Sequence, residues 1–172
     1  MDIRPATNAD IPAITRIYAD AVVNGTASFE LAAPDETEMA RRMQALLDGE
    51  FPYFVAEVDG AVVGYAYASL YRVRPAYRFT VEDSVYVAPG MQRRGLGKAL
   101  LEKLIEVCTA LGYRQMIAVI GDSGQAGSIG VHKACGFEPA GNLKHVGYKF
   151  GRWLDTPLMQ RALGPGATTK PD

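Results

Sequence analysis

The stretch that most constrains this chain is Ser84–Leu101, SVYVAPGMQRRGLGKALL. Its first residues, Val85, Tyr86 and Val87, are β-branched and aromatic, the composition of a buried strand. Pro89 and Gly90 stop that strand, and a loop with two arginines and two glycines follows. The pattern then turns helical: Leu96, Leu100, Leu104 and Cys108 recur at every fourth position, with Leu101 and Ile105 beside them. Gly112 supplies a C-terminal stop. A strand, a basic glycine-rich loop and a helix are a layout for gripping an anion. The first amides of a helix lack partners, and the helix dipole is positive there. Gly95 and Gly97 keep side chains away from an approaching phosphate, while Arg93, Arg94 and Lys98 surround it with charge.

Spacing narrows the choice. A P-loop requires Gly-Lys followed by Ser or Thr, with a glycine five positions before the second one. Here Ala99 follows Gly97-Lys98, and that earlier position is Gln92. A dinucleotide fingerprint requires a third glycine where the chain has Leu100. What remains is Gln92-x-x-Gly95-x-Gly97. At 172 residues and a net charge of -1, the chain is expected to form one domain over 1–163, with a disordered Gly/Pro/Thr-rich tail over 164–172. The near-neutral balance makes the basic loop a local feature and argues against a general nucleic-acid binder. No stretch has the length and apolarity of a membrane span or signal segment, so no membrane partner is expected. Two cysteines and two histidines offer no metal cluster with convincing spacing, and a cytoplasmic, reducing home is expected.

Taken in order, a short strand (2–6) precedes a helix that Thr7 and Asp10 cap and Asn24-Gly25 ends. Phe29 then lies in an irregular segment. A second helix opens at Pro34-Asp35-Glu36, and strands over 53–58 and 61–70 join through Asp59-Gly60, a hairpin signal. The pattern predicts a long third strand from Tyr77 to Val87, a strand over 114–120 and a short helix from about Ser128. Two last strands, 147–150 and 158–163, flank 151–155. The segment Tyr71–Arg78 mixes aromatic and basic residues, so Arg72, Arg74 or Arg78 is placed to meet a carboxylate.

This order, together with Gln92-x-x-Gly95-x-Gly97, resembles the GCN5-related N-acetyltransferases (GNAT). The resemblance implies an α/β (α+β) fold, with a mixed, mostly antiparallel sheet flanked by helices on both faces. The segment Gln125–Phe137 is similar to that family's last helix, with Ser128 and His132 at matching positions. Thr80–Val87 and Val146–Asp155 resemble the phosphinothricin and methionine sulfoximine N-acetyltransferase branch. The branch more often has Asn where this chain has Gln125.

The resemblance implies transfer of an acetyl group from acetyl-CoA to the α-amine of a small amino acid, by direct attack through a tetrahedral intermediate. Val85, Tyr86 and Val87 would pair with the pantetheine arm, and an amide near Val87 would polarise the thioester carbonyl. Gln92, Arg93, Arg94, Gly95, Leu96, Gly97 and Lys98 would hold the pyrophosphate, with Gln125, Ser128 and Lys133 also on the cofactor. Glu82 is the candidate base for the amine, and His132 the candidate acid for the departing thiolate. Phe29, Arg72, Arg74, Pro75, Ala76, Tyr77, Glu82 and Lys149 would line the substrate side. In this branch the Gly147–Trp153 segment belongs to a homodimer. Other members would acetylate an aminoglycoside, a polyamine or a protein N-terminus, and a non-catalytic acyl-CoA sensor would keep the fold alone. The arginines favour a carboxylate-bearing amine.

Overall fold

The computed structural model describes residues 1–171. One seven-stranded sheet organises them: β1 (Asp2–Pro5), β2 (Tyr53–Val58), β3 (Ala61–Leu70), β4 (Thr80–Val87), β5 (Gln115–Val119), β6 (Glu138–Lys149) and β7 (Arg152–Ala162). Their spatial order is β1-β2-β3-β4-β5-β7-β6. The pair β4–β5 is parallel and its neighbours are antiparallel. The helices α1 (Ile11–Asn24) and α2 (Glu36–Asp48) cover one face, where Ile14, Tyr18, Val22, Met39 and Met43 pack on Tyr53, Val55 and Tyr65. The other face carries α3 (Leu96–Ala110) and α4 (Ala126–Ala134). There Leu96, Leu100, Leu101, Leu104 and Cys108 pack on Phe54, Ala66, Val81, Met116 and Met159. The expected two-faced mixed sheet is present.

Local chemistry explains the boundaries. Asp59 and Gly60 both adopt positive φ, 51° and 78°, the conformation that a two-residue hairpin turn requires. Thr7 donates its amide to the Asp10 carboxylate at 2.8 Å, and Arg4 grips the same carboxylate from β1. Asp35 caps α2 by accepting from the Glu38 amide at 2.9 Å.

Two expectations need correction. The strand expected from Tyr77, β4, begins at Thr80 instead. Pro75 sets the φ of a 3₁₀ turn over Pro75–Tyr77, which the Arg78 amide closes on the Pro75 carbonyl at 3.1 Å. The last two strands are far longer than 147–150 and 158–163, forming a twelve- and eleven-residue hairpin through Phe150-Gly151. Register shifts between Pro139 and Gly141 and between Leu143 and Gly147 interrupt the alternation that would have shown their full length. Residues 164–171 follow in turns, and Arg114 donates to the carbonyls of Gly166 and Lys170 at 3.0 and 3.2 Å.

Candidate active site

The site begins where two parallel strands part. β4 and β5 pair from Thr80–Gln115 to Asp83–Ala118 and no further. Beyond that point β5 stays with β7, pairing Val119 with Leu158, and the Ile120 amide reaches the Pro157 carbonyl at 2.9 Å. β4 stays with β3 as far as Gly64–Val87. The Ala88 amide donates to the Val63 carbonyl at 2.8 Å, which sets the parity of the strand. Even-numbered residues bond to β3, so the amides and carbonyls of Val85 and Val87 face the gap. Ala27, Asp83, Tyr86, Ile120, Gly121, Gln125, Ser128 and His132 help line it. An unpaired strand edge facing a cleft suits an extended arm bearing amides, the group that the resemblance implies for Val85–Val87.

The N-terminus of α3 opens toward the same end of β4. Arg93 and Gly95 take positive φ, 60° and 80°, and present the loop and first helical amides as a concave nest. A Cβ at Gly95 would meet nothing within 4 Å, and one at Gly97 only the Val87 and Val131 methyls at 3.8 Å. Gln92, Arg93, Arg94 and Lys98 are exposed around it, and Lys98 also pairs with Glu102 at 3.5 Å. Leu96 differs from its neighbours: its side chain is in the core, so only its amide can meet an anion. The cradle fits a pyrophosphate.

Side chains of β4 alternate. Glu82 belongs to the face of α1 and α2, beside a sheaf of stacked tyrosines, Tyr53, Tyr65, Tyr67 and Tyr86. Burial and the neighbouring Asp83 charge push the Glu82 pKa up to about 7, with the Arg72 charge opposing them. Arg72 lies 5.1 Å over the Tyr71 ring, and Tyr71 meets Tyr77 edge-on. Arg74, Pro75, Ala76 and Tyr77 are exposed in the same segment. Arg78 turns away from it, stacking on Phe79 beside Leu111–Arg114, and is not part of this site.

His132 and Asp83 occupy the opposite face. The His132 ring places Nε2 2.8 Å from Asp83 Oδ2 and Nδ1 2.7 Å from the Ser128 carbonyl. Burial alone would lower its pKa; the Asp83 hydrogen bond and charge outweigh that and raise it. Ser128 thus serves the histidine through its backbone, and Lys133 is exposed on α4.

A third group stands next to the lining residues Ala27, Gly121 and Gln125, and sequence reasoning found only part of it. Gln125 does not reach into the gap with its amide nitrogen, which donates instead to Thr26 Oγ1 at 3.0 Å. Thr26 donates to Asp122 at 2.9 Å, and Asp122 also accepts from Arg152 at 3.0 Å. Lys149 is buried and donates to the Ser28 carbonyl at 2.8 Å; desolvation lowers its pKa. Phe29 packs on Gly147, where a Cβ would sit 2.3 Å from the ring. Phe29 and Lys149 therefore meet neighbouring parts of the same two segments, Ser28–Phe29 and Gly147–Lys149, while Thr26, Asp83 and Asp122 carried no local signal. Their side-chain partners lie 30 to 99 residues away.

Comparison with known proteins agrees with this geometry. An acetyltransferase (GNAT) domain model matches residues 3–158. The chain is 56% identical over 170 residues to phosphinothricin N-acetyltransferase of Alcaligenes faecalis, covering 99% of this chain and 86% of that protein. It is 43% identical over 164 residues to an L-methionine sulfoximine/L-methionine sulfone acetyltransferase of Pseudomonas paraeruginosa, covering 95% of each. Among solved structures, a GNAT superfamily phosphinothricin acetyltransferase from Sinorhizobium meliloti in complex with AcCoA superposes with a TM-score of 0.97. That pair is 52% identical over 99% of this chain and 92% of the other.

Proposed function

The chain belongs to the GNAT acetyltransferases, and from that premise we propose that it acetylates the α-amine of a small amino acid or analogue with acetyl-CoA. Phosphinothricin, methionine sulfoximine and methionine sulfone are the substrate class, as the names of its relatives suggest. The observation that carries this reading is the free backbone edge at Val85 and Val87, with the basic α3 cradle at one end and Glu82 on the same strand.

Acetyl-CoA, when bound, supplies an acyl carbon activated as a thioester. The residues of this chain do the rest. Arg93, Arg94, Lys98 and the first amides of α3 hold the pyrophosphate, and the Val85 and Val87 backbone holds the pantetheine amides. An amide on that edge donates to the carbonyl oxygen as negative charge grows there. Glu82, with a pKa near neutrality, takes a proton from the substrate ammonium and so delivers a nucleophilic amine. Arg72, with Arg74 and Tyr77 in the same loop, orients the substrate carboxylate, while Phe29 and Lys149 close the far wall. His132 stands on the cleft wall toward the departing sulfur.

Exposed Tyr148 and Trp153 on the β6–β7 hairpin support a homodimer. Among the described residues no helix is long and apolar enough to cross a membrane. Two buried free cysteines suit a reducing compartment, and the reading assigns residues 1–163 to one cytoplasmic acetyltransferase domain. The test is release of free thiol from acetyl-CoA with a panel of amines. Turnover on phosphinothricin, methionine sulfoximine or methionine sulfone is expected. Turnover confined to aminoglycosides or polyamines would overturn the substrate class, and cofactor binding without turnover would make the chain a sensor.

A further inference from the structure

Glu82 and Asp83 are consecutive carboxylates on one strand, so pleating sends them to opposite faces of the sheet. Glu82 faces the amine side. Asp83 faces α3 and α4, where its side chain is 2% exposed and its partner is the His132 ring, itself 6% exposed. We infer that Asp83 is a positioning residue that locks His132 as a fixed cation on the cleft wall, so that the departing thiolate is met by a charge and not by a donated proton. The inference rests on the acetyl-transfer reading above.

The hydrogen-bond inventory carries it. A backbone carbonyl only accepts, so the 2.7 Å contact with Ser128 puts a proton on Nδ1. An ionised carboxylate likewise only accepts, so the 2.8 Å contact with Asp83 puts a second proton on Nε2. The ring is then an imidazolium. Asp83 Oδ1 is buried and has no hydrogen-bond partner among the described residues, which leaves its negative charge dependent on the cation beside it. Surrendering the Nε2 proton would set an unprotonated ring nitrogen against that carboxylate, with both shielded from water. Among the described residues, His132 is the one cationic group that hydrogen-bonds to Asp83, while Arg161 of β7 spends its guanidinium on the Cys135 carbonyl. Cys108 comes from α3, with its thiol pushed up to about 12 by burial, and Cys135 ends α4 with its thiol also raised. Lys98 and Glu102 on α3 and Lys133 on α4 lie exposed.

The transfer balances without a proton from His132. Glu82 first passes the ammonium proton on to solvent; the amine nitrogen then bonds to the acetyl carbon, and the second proton that this nitrogen sheds passes to Glu82. The carbon–sulfur bond breaks, and its electron pair leaves with sulfur as a thiolate beside the unchanged imidazolium. Two adjacent carboxylates thus serve opposite halves of one reaction.

Nitrogen-15 NMR of the full chain, labelled at histidine, tests the lock directly, with His145→Ala assigning the His132 signals. In the wild type, His132 is expected to keep both ring protons at pH 7 and above, beyond the ordinary histidine midpoint of about 6.5. Asp83→Asn, an isosteric change, is expected to bring its titration below the ordinary histidine midpoint of about 6.5. It should lower kcat by about tenfold or more with KM for acetyl-CoA within about twofold, the split of an interaction made in the transition state. Asp83→Glu should restore the doubly protonated signature in part. A neutral His132 in the wild type at pH 7, or an Asp83→Asn enzyme with wild-type kcat, would overturn the inference and leave amine acetylation standing. Absence of turnover by the wild type on every amine would instead sink the acetyl-transfer reading and the thiolate's place in it. Even then, the NMR arm would still decide the lock.

Discussion

A carboxyl that is half-buried beside a second carboxylate keeps its proton to higher pH, and Glu82 meets both conditions. If it accepts the amine proton, kcat/KM should rise with pH up to about 7 and level off above it. In Glu82→Gln that limb should vanish, and turnover should fall by about 10²–10⁴-fold; a pH–rate profile of the two enzymes checks it. The sign for stability is opposite. A folded pKa above the ordinary 4.5 means that the folded chain binds more protons than the unfolded one between 4.5 and about 7. Glu82 therefore withdraws stability as pH rises across that window. Denaturant titrations should show a shallower decline in Glu82→Gln. Glu82 stands out as a candidate in the sequence because the strand and its resemblance to a known motif both run through it. Asp83, the next residue, does not. Its meaning depends on a histidine 49 residues away, and no local pattern records that approach. Gln125 meets a distant partner too: its amide nitrogen donates to Thr26, 99 residues away in the chain.

At the scale of elements, legibility followed periodicity. The buried leucines of α3 stand where a 3.6-residue repeat puts them, and the anion cradle at its start follows from two glycines among arginines. β6 and β7 were seen only in fragments, because Pro139, Gly141 and Gly147 break the two-residue alternation by which a strand is recognised. The cradle makes a prediction of its own. Gly95 sits at φ 80°, where an L side chain is strained, although a Cβ would strike nothing. Gly95→Ala should therefore cost about 1 kcal/mol through the backbone. Its effect on binding should be larger than that figure implies, since relaxing φ re-aims the first amides of α3. We expect a lowered melting temperature together with a severalfold rise in KM for acetyl-CoA. KM for the amine should stay near wild type. A variant that loses stability while keeping its KM for acetyl-CoA would show that α3 caps the sheet without gripping the cofactor.

Over the whole molecule, the β6–β7 hairpin joins two surfaces that sequence analysis could not separate. Period-two alternation turns Gly147, Lys149 and Leu154 inward, where Gly147 meets Phe29 and Lys149 meets Ser28. Tyr148 and Trp153 stand on the outer face, paired across the strands at 5.1 Å and 58% and 62% exposed. Trp153 is thus no core anchor, and its exposure among other apolar residues of one hairpin is what an interface requires. Two substitutions separate the faces. Trp153→Asp changes only the outer one, so sedimentation should show a dimer in the wild type and a monomer in the variant. Its melting temperature should change little at a protein concentration where both are monomeric. Gly147→Ala changes only the inner one: the new methyl drives into the Phe29 ring, displacing it from the proposed substrate wall. That variant should stay dimeric and raise KM for the amine by about tenfold. If Trp153→Asp also weakens amine binding while Phe29 and Lys149 are untouched, the partner subunit is helping to shape the pocket. The hairpin would then carry assembly on one face and substrate selection on the other, through residues that alternate along the same strand.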